Sequence, residues 1–468
     1  MGNNRNNYLM KNTIIFTLGN LGTKLISFFL IPLYTNALTT TEYGVIDLVA
    51  TVGTVAVPIL TLNICESVMR FALDKDADNE KITQIGTNIL LIGMVVGFLI
   101  LPICHSFDKI SQYSIFVYFY VVSLAASQLY LCDLRGKELL VYYSIGNVLH
   151  TFFIAVLNIL FLLAFKEGIE GYLKAYIIAN TLTAIYALIM GKGYRSFSFL
   201  RVDKKLLQRM VKYSIVLIPN SFMWWIMNSS DRIMVSSMVG IAANGIYAVS
   251  YKLPTLVSTL TTIFNQAWSY SAIREEGTED ESEYNNKIFK VLIGIVMLIG
   301  IGLVTFMKPF LSIYVAKEYY VAWKYTPFLT VGCVYLTLAS FMATSYTVHK
   351  DSFGYLFSGT FGAVFNIAMN FILIPWIGVY GAAIATCISY MLVFVFRLFH
   401  TRKYIQYNIK NKEFLIGSPV LILSAGLMFI DNLFGFALQC ALLLVAIYSF
   451  SDIWVPMFKK MMKLKGRQ

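Results

Sequence analysis

The sequence predicts an all-α integral membrane protein with about 14 transmembrane helices, because it is apolar throughout and its apolar runs are long. Of its 468 residues, 58% are hydrophobic and only 13% are charged, and the mean hydropathy is +0.68. A soluble domain carries about 25% charged residues. The first apolar run is too long for a cleaved signal peptide, so we expect it to stay in the membrane as an anchor.

The predicted spans are separated by short polar or glycine-containing turns, and about fourteen of them reach the length that a helix needs to cross a bilayer. They cover residues 12–35, 43–71, 82–105, 113–132, 139–165, 172–190, 211–239, 243–273, 289–307, 325–349, 353–375, 379–399, 414–430 and 434–456.

Lys and Arg are distributed unevenly between alternate loops. Of the 37 cations, 28 lie in the set that contains the N-terminus, the loops after even-numbered spans and the C-terminus, and six lie in the opposite set. Cytoplasmic loops carry the excess of cations in membrane proteins. We therefore predict that both termini are cytoplasmic in the cytoplasmic (inner) membrane. The net charge of +12 is a topology signal, and we expect no nucleic-acid partner.

A weak internal repeat predicts two lobes. Gly168-Ile-Glu-Gly171 recurs as Gly378-Val-Tyr-Gly381, and Tyr43-Gly44-Val45 recurs as Asn244-Gly245-Ile246. Six spans per repeat would place both lobes the same way up, about an axis normal to the membrane. The predicted organisation is a lobe over 1–190, a basic cytoplasmic linker over 191–210, a lobe over 211–400, and two extra helices with a basic tail over 401–468.

Motifs for soluble chemistry are missing from the sequence. It contains no G-x-x-x-x-G-K-[ST], H-E-x-x-H or G-x-S-x-G motif, so we predict that the protein is not an enzyme and has no catalytic residue or ATP site. The six cysteines lie in or beside apolar segments, and their spacing indicates neither a disulfide framework nor a zinc site. We expect them to be apolar packing residues.

Three cations are candidate contacts for an anionic substrate, since charge within a span is costly in hydrocarbon. Lys24 lies near the midplane of the first span and either faces a cavity or pairs with Asp47 or Glu66. Arg70 ends the second span and either pairs with Glu66 or makes the first contact with an anionic headgroup. Lys252 is the third and weaker candidate.

Oxygen-bearing side chains at similar depth form a second candidate site. Asn366 and Asn370 are one helical turn apart, and Thr386 follows the turn after Pro375. Asp231, Asn366 and Thr386 each lie roughly 12–14 Å below the outer surface at 1.5 Å per residue. Carboxylate, amide and hydroxyl oxygens suit a monovalent cation or a proton. The alternatives are a local Asp231–Arg232 pair and hydrogen bonds that only hold helices together.

Two stretches of the sequence carry a family resemblance: the string N-x-x-x-N-F-x-L-I-P-x-x-G-x-x-G-A-A-x-A-T and the opening K-N-T-I-I-F-T-L-G-N-L-G-T-K. With them, the chain resembles the Wzx-like polysaccharide flippases of the multidrug/oligosaccharidyl-lipid/polysaccharide exporter superfamily. The resemblance implies a V-shaped pair of six-helix lobes that flips undecaprenyl-pyrophosphate-linked oligosaccharide, without a cofactor. Lys24 is similar in place to a cavity arginine of the related lipid II flippases. Their sodium-ligand pattern matches Asp231, Asn366, Asn370, the Ala382 carbonyl and Thr386, although Asn370 stands where the relatives have a second carboxylate.

The function that follows is alternating-access flipping of lipid-linked oligosaccharide for capsule, O-antigen or exopolysaccharide synthesis, coupled to Na⁺ or H⁺. The expected partners are this substrate, membrane lipids and, in the pathway, a polysaccharide polymerase and glycosyltransferases; we expect a monomer. A cation-coupled multidrug exporter of the same superfamily is the alternative, which would favour an anionic cavity. A membrane polymerase would need a sizeable outward loop with catalytic groups, which the predicted spans exclude.

Overall fold

The computed structural model describes residues 26–74, 76–104, 111–196, 202–274 and 278–456, and every regular element in these ranges is helical. The chain forms two compact units, Met1–Trp225 and Ile226–Gln468. The boundary between them lies inside a long helix that follows the predicted basic linker. This boundary follows Trp225, whereas the predicted linker covers 191–210, so the predicted lobe bounds stay a prediction.

The first unit contains seven helices and the start of an eighth within the described residues. They are α1 (Ile26–Ala37), α2 (Thr40–Leu60), α3 (Ile64–Ala72), α4 (Asn79–Cys104), α5 (Ser114–Gly136), α6 (Leu140–Asn158), α7 (Gly168–Met190) and α8 (Lys204–Met238). A π-helical turn, Ile159–Ala164, continues α6, and short 3₁₀ turns lie at Ser111–Tyr113 and Gly193–Ser196.

Within the described residues, the second unit contains the end of α8, nine further helices and a helical stretch over 451–456 at the last described residues. The nine helices are α9 (Ile241–Lys252), α10 (Pro254–Arg274), α11 (Glu281–Tyr314), α12 (Thr326–Met342), α13 (Thr344–Val348), α14 (Ser352–Ile377), α15 (Val379–His400), α16 (Lys412–Leu427) and α17 (Leu433–Ser449). Two 3₁₀ segments, Lys317–Lys324 and Thr401–Lys403, follow α11 and α15.

The all-α membrane fold class is confirmed. Each predicted span from 43–71 onward coincides with one helix or with two consecutive helices, and the span over 12–35 falls within the described residues only from Ile26. Nine helical segments of the described chain are long and apolar enough to cross a membrane. Large apolar side chains also face outward, including Ile313 at 89% and Trp376 at 82% exposure. Such surfaces are unfavourable in water but are matched to lipid.

Two of the breaks within predicted spans have a clear backbone cause. The span over 43–71 divides at Leu62 and Asn63, which both have left-handed backbones with φ of 51° and 54°. The span over 243–273 divides after Lys252, where Pro254 begins the next helix and cannot donate a backbone hydrogen bond to the preceding turn. A hydropathy pattern does not register such breaks, because the apolar composition continues through them.

The cysteines of the first unit differ from our expectation. Cys65 on α3 and Cys132 on α5 form a disulfide, with 5.9 Å between their Cα atoms. α3 packs directly against α5, which brings two cysteines 67 positions apart into the range that a disulfide spans. Sequence spacing could not show this, because the pairing depends on how the two helices cross. Cys333 and Cys387 are free and buried, as expected of packing residues.

The hairpin of α14 and α15 is the element that positions the candidate site. α14 continues through Pro375 to Ile377, and the chain reverses at Gly378, which has a φ of +59° that favours glycine. A Cβ atom on Gly381 would lie 2.4 Å from the Leu373 carbonyl carbon. The two helices therefore approach each other through a residue that has no side chain.

Arg397 is a buried cation that the sequence placed among the cytoplasmic loop charges. It lies on α15 at 2% exposure, donates from Nε to Ser358 Oγ at 3.0 Å and from Nη1 to the Ala339 carbonyl at 3.0 Å. It thereby connects α12, α14 and α15. A long aliphatic stem lets the guanidinium reach these acceptors from within the bundle.

Candidate functional site

A continuous chain of side-chain hydrogen bonds connects α8, α9, α14 and α15 in the second unit. Asn370 Nδ2 donates to Asn366 Oδ1 at 3.0 Å, and Asn366 Nδ2 donates to Thr386 Oγ1 at 3.3 Å. Thr386 Oγ1 donates to Asp231 Oδ2 at 3.3 Å, and Tyr247 Oη donates to the same oxygen at 2.5 Å. We call these five residues the polar chain.

The polar chain is buried. None of its members exceeds 3% exposure, and Asn370 and Tyr247 are fully buried. Along the polar chain, each donor points to the next residue in the direction of the Asp231 carboxylate. The Arg232 backbone N–H also donates to Asp231 Oδ1, at 2.9 Å. Hydrogen bonds to an ionised acceptor are the strong ones in a protein. The hydrogen bonds of the polar chain therefore converge on the Asp231 carboxylate.

Ala382, the fifth predicted oxygen donor, lies beside the polar chain. It is fully buried in an apolar cluster that includes Met234, Tyr247 and Ile374. This cluster surrounds the polar chain with hydrocarbon. The low dielectric strengthens every interaction with the Asp231 charge and makes an unsatisfied polar atom costly.

One oxygen of the polar chain is left over. Asn370 Oδ1 is buried and accepts no hydrogen bond from any group in the part of the chain that the structure describes. A buried acceptor without a donor loses about 1–3 kcal/mol. A cation could satisfy it, and the donor set of one carboxylate, two amides and a hydroxyl fits a hard monovalent ion. Within the described residues, no cluster of three or more His, Cys, Asp or Glu suited to a metal ion occurs.

Arg232, whose local pairing with Asp231 is the alternative considered above, also contacts a tyrosine of α9. Its guanidinium lies over the ring of Tyr251, 5.7 Å from the ring centroid. The Tyr251 hydroxyl in turn lies 3.0 Å from the Tyr390 hydroxyl. Neighbouring residues on a helix point about 100° apart, so Asp231 faces the polar chain while Arg232 faces this tyrosine pair.

Tyr247 was missed by the sequence reasoning. It lies in a span crowded with tyrosines, and aromatic residues in such spans usually pack or sit at the membrane interface. A Tyr hydroxyl in hydrocarbon needs a partner, and that requirement was the available signal. It could not identify the partner, because α9 and α8 meet only after the turn at Gly240.

The structure describes two of the three predicted substrate cations, Arg70 and Lys252. Lys24 lies outside the described residues. Arg70 is on the exposed side of α3, 54% accessible, and pairs with Asp74 Oδ1 at 2.7 Å rather than with Glu66. Lys252 is partly buried at the end of α9. The assignments of Lys24, Arg70 and Lys252 as contacts for an anionic substrate therefore stay predictions.

A cavity of about 310 Å³ lies in the second unit, between α11 and the α16–α17 turn. Lys308 at its wall pairs with Asp431 at 2.9 Å, and the Lys308 ammonium also lies 4.0 Å from the centroid of the Trp323 ring. The cation is therefore already compensated within the protein. The residues that line this cavity do not include any of the polar chain.

The fold and the polar chain together define a polytopic helical membrane protein with a buried carboxylate site in its second unit. A family model described as "Polysaccharide biosynthesis protein" matches residues 9–270, more than half of the chain. The chain belongs to this family of polysaccharide biosynthesis proteins, which confirms the resemblance noted from the sequence.

The chain is also similar to an "Uncharacterized membrane protein MJ1068" of Methanocaldococcus jannaschii. The two are 23% identical over 320 residues, which is 64% of this chain. The match covers 61% of the length of that relative. The name of that relative gives no information about a substrate.

Two solved structures share the fold. One is titled "Lipid II flippase MurJ, inward closed conformation", with a TM-score of 0.64 and 15% identity, covering 96% of this chain and 99% of that chain. The other is an inward-facing multidrug resistance MATE family transporter of the MOP superfamily, with a TM-score of 0.62 and 16% identity, covering 83% and 94%. These likenesses establish the fold of that superfamily.

Proposed function

We propose that the protein is a secondary transporter that flips undecaprenyl-pyrophosphate-linked oligosaccharide across the cytoplasmic membrane by alternating access. The polar chain carries this proposal, because it joins a buried carboxylate through hydrogen bonds to an amide oxygen without a donor, and a coupling cation could use both. Membership of a polysaccharide biosynthesis family supports the substrate class. The fold shared with a lipid II flippase supports the same class.

The coupling ion in this proposal is sodium, held by Asp231, Asn366, Asn370, Thr386 and the Ala382 carbonyl. A resident ion would balance the Asp231 charge and engage the spare Asn370 oxygen. The protein supplies the oxygens and excludes water. Binding free energy then differs between conformations only if these helices rearrange, which is the condition for an ion to shift the transport equilibrium.

The diphosphate of the substrate is assigned to cations, foremost Lys24, with Arg70 and Lys252 as further contacts. A polyanion crossing hydrocarbon needs compensating charge at depth. Lys24→Ala should therefore abolish export with the protein still inserted. Lys24→Arg should retain part of it, since the charge survives while the geometry of the donors changes.

A cation-coupled multidrug exporter is the second candidate, favoured by the similar fold of the multidrug transporter. The test is transport in reconstituted vesicles under an imposed sodium gradient at fixed pH. One set contains a fluorescent lipid-linked oligosaccharide and another a lipophilic cationic dye. Sodium-driven movement of the glycolipid alone supports the flippase, and movement of the dye alone supports the exporter. A rate that follows only the pH gradient makes Asp231 a proton carrier, and a rate that follows neither gradient removes cation coupling.

A further inference from the structure

The Tyr247 hydroxyl contacts the same Asp231 oxygen as Thr386, which is another of the proposed cation ligands. Tyr247 Oη lies 2.5 Å from Oδ2, and Thr386 Oγ1 lies 3.3 Å from the same oxygen. A hydroxyl hydrogen bond of about 2.5–2.7 Å to a carboxylate is short and strong. Tyr247 is therefore the closest side-chain donor to the charge in the site.

The Tyr247 ring is held in place, while its hydroxyl hydrogen is not. The side chain is fully buried among Met234, Val235 and Ala382 in the apolar cluster. It also packs edge-on against Tyr251, with 5.9 Å between the ring centroids. Rotation about the C–O bond needs no movement of the ring. The Tyr247 and Thr386 hydroxyls share Asp231 Oδ2 as their acceptor, so rotation of either O–H group can release that oxygen.

A cation and this hydrogen bond compete for the same oxygen. A carboxylate oxygen offers two lone pairs, and in Asp231 Oδ2 both already accept a hydroxyl hydrogen. A cation at that oxygen would face the positive ends of two O–H groups. Binding therefore requires at least one O–H group to turn away, and the shorter bond, from Tyr247, is the larger obstacle.

We propose that Tyr247 is a positioning residue that holds the Asp231 carboxylate in the ion-free protein and yields it when the coupling cation binds. This inference rests on the proposed cation coupling and deepens it. Tyr247 keeps the buried charge satisfied in the ion-free protein, and it lowers the cation affinity so that the ion can be released. Because Asn370 carries no charge, Asp231 is the single carboxylate of the polar chain. The Tyr247 hydroxyl stabilises that carboxylate while no ion is bound.

The test is the thermal stability of the purified full-length protein in detergent as a function of sodium, at fixed pH, with choline maintaining the ionic strength. A ligand that binds only the folded state stabilises it by RT ln(1 + [L]/Kd), so the dependence of the unfolding temperature on sodium gives the concentration at half occupancy, which we call the sodium midpoint. In Tyr247→Phe the sodium midpoint should be about tenfold lower than in the wild type, the change that about 1.4 kcal/mol produces. Asp231→Asn should abolish the dependence on sodium.

Tyr251→Phe is the matched control. Tyr251 lies one turn further along α9 and is also buried, and its hydroxyl contacts Tyr390 rather than Asp231. Its sodium midpoint should equal that of the wild type. An unchanged midpoint in Tyr247→Phe overturns the inference, and a higher midpoint would make the hydroxyl a ligand, which also overturns it. A wild-type protein that sodium does not stabilise instead overturns the sodium coupling of the proposed function.

A second measurement covers the case in which Tyr247→Phe does not fold. Sodium-induced infrared difference spectra of ring-deuterated wild-type and Tyr251→Phe protein should contain a shifted tyrosine C–O band, because one tyrosine changes its hydrogen bond. If sodium changes a carboxylate band while no tyrosine C–O band changes in either protein, the proposed release of Asp231 by a tyrosine hydroxyl is wrong.

Discussion

At the scale of single residues, the central feature is one carboxylate that has several donors and no countercharge within the polar chain. Asp231 accepts hydrogen bonds from Tyr247, Thr386 and its neighbour's backbone. Each donor is neutral, so the net charge of the polar chain stays at about −1 whenever Asp231 is ionised. A monovalent cation can neutralise that charge without leaving an excess.

The first prediction compares the charged and the neutral ends of the polar chain. Asp231→Asn removes the only full charge, and loss of one partner from a buried charge pair is worth about 3–5 kcal/mol. It should lower sodium-driven transport at least about a hundredfold. Thr386→Ala removes one neutral oxygen that water can replace, and it should lower transport by about tenfold or less. Initial rates in vesicles measure both, and equal losses would mean that these residues only hold helices together.

At the scale of elements, the α14–α15 hairpin fixes the spacing of the polar chain. Two of its asparagines lie on α14 and its threonine lies on α15, so their hydrogen bond depends on how closely these helices approach. That approach is set at the turn, where Gly381 lies against the backbone of Leu373 and Ile374. A change at this glycine should therefore act on the site from a distance along the chain.

Gly381→Ala should destabilise the protein and weaken the polar chain together. Its Cβ would meet backbone atoms at 2.4 to 2.6 Å, which cannot move without shifting a helix, and overpacking of this kind costs about 1–3 kcal/mol. Gly359→Ala on α14 is the control, since nothing lies within 4 Å of its Cβ. The measurement is the unfolding temperature in detergent. Equal temperatures for the two variants would show that the hairpin is not tightly packed there.

A second element-scale prediction concerns the start of α14. Asp351 caps this helix through the Gly354 N–H at 2.8 Å and pairs with Lys403 at 2.8 Å. The Lys403 ammonium, the Gly354 N–H and the Tyr404 hydroxyl lower the pKa of Asp351 from 3.8 to about 2. Because the folded-state pKa is lowered, this stabilisation is present above the ordinary value and is lost as pH falls toward 2.

Asp351→Asn should accordingly lower the unfolding temperature at pH 7, and its difference from the wild type should shrink below about pH 4. Asp280→Asn is the matched control, because Asp280 precedes α11 without making a side-chain capping bond. Melting in detergent across this pH range gives the comparison. A difference that stays constant with pH would remove the ionised Asp351 carboxylate from the stability of the α14 start.

At the scale of the whole molecule, the chain is two helical units with a fold shared by lipid and drug transporters. The distribution of Lys and Arg predicts its orientation, with both termini in the cytoplasm. A periplasmic reporter fused after Gln468 should therefore be inactive. The same reporter fused after Asn432, in the turn between α16 and α17, should be active. The reverse pattern would mean that the number of crossings differs from the prediction by one.

The sequence by itself determined the fold class and most helix positions, because crossing hydrocarbon requires long apolar helices and little else satisfies the backbone. It also selected Asp231, Asn366, Asn370 and Thr386, since polar atoms at matched depth in apolar helices need partners. Only the tertiary structure decided that Tyr247 joins them, that Arg70 pairs with Asp74, and that Cys65 bonds to Cys132. Those contacts depend on how helices rotate and cross, and an apolar composition leaves that rotation and crossing undetermined.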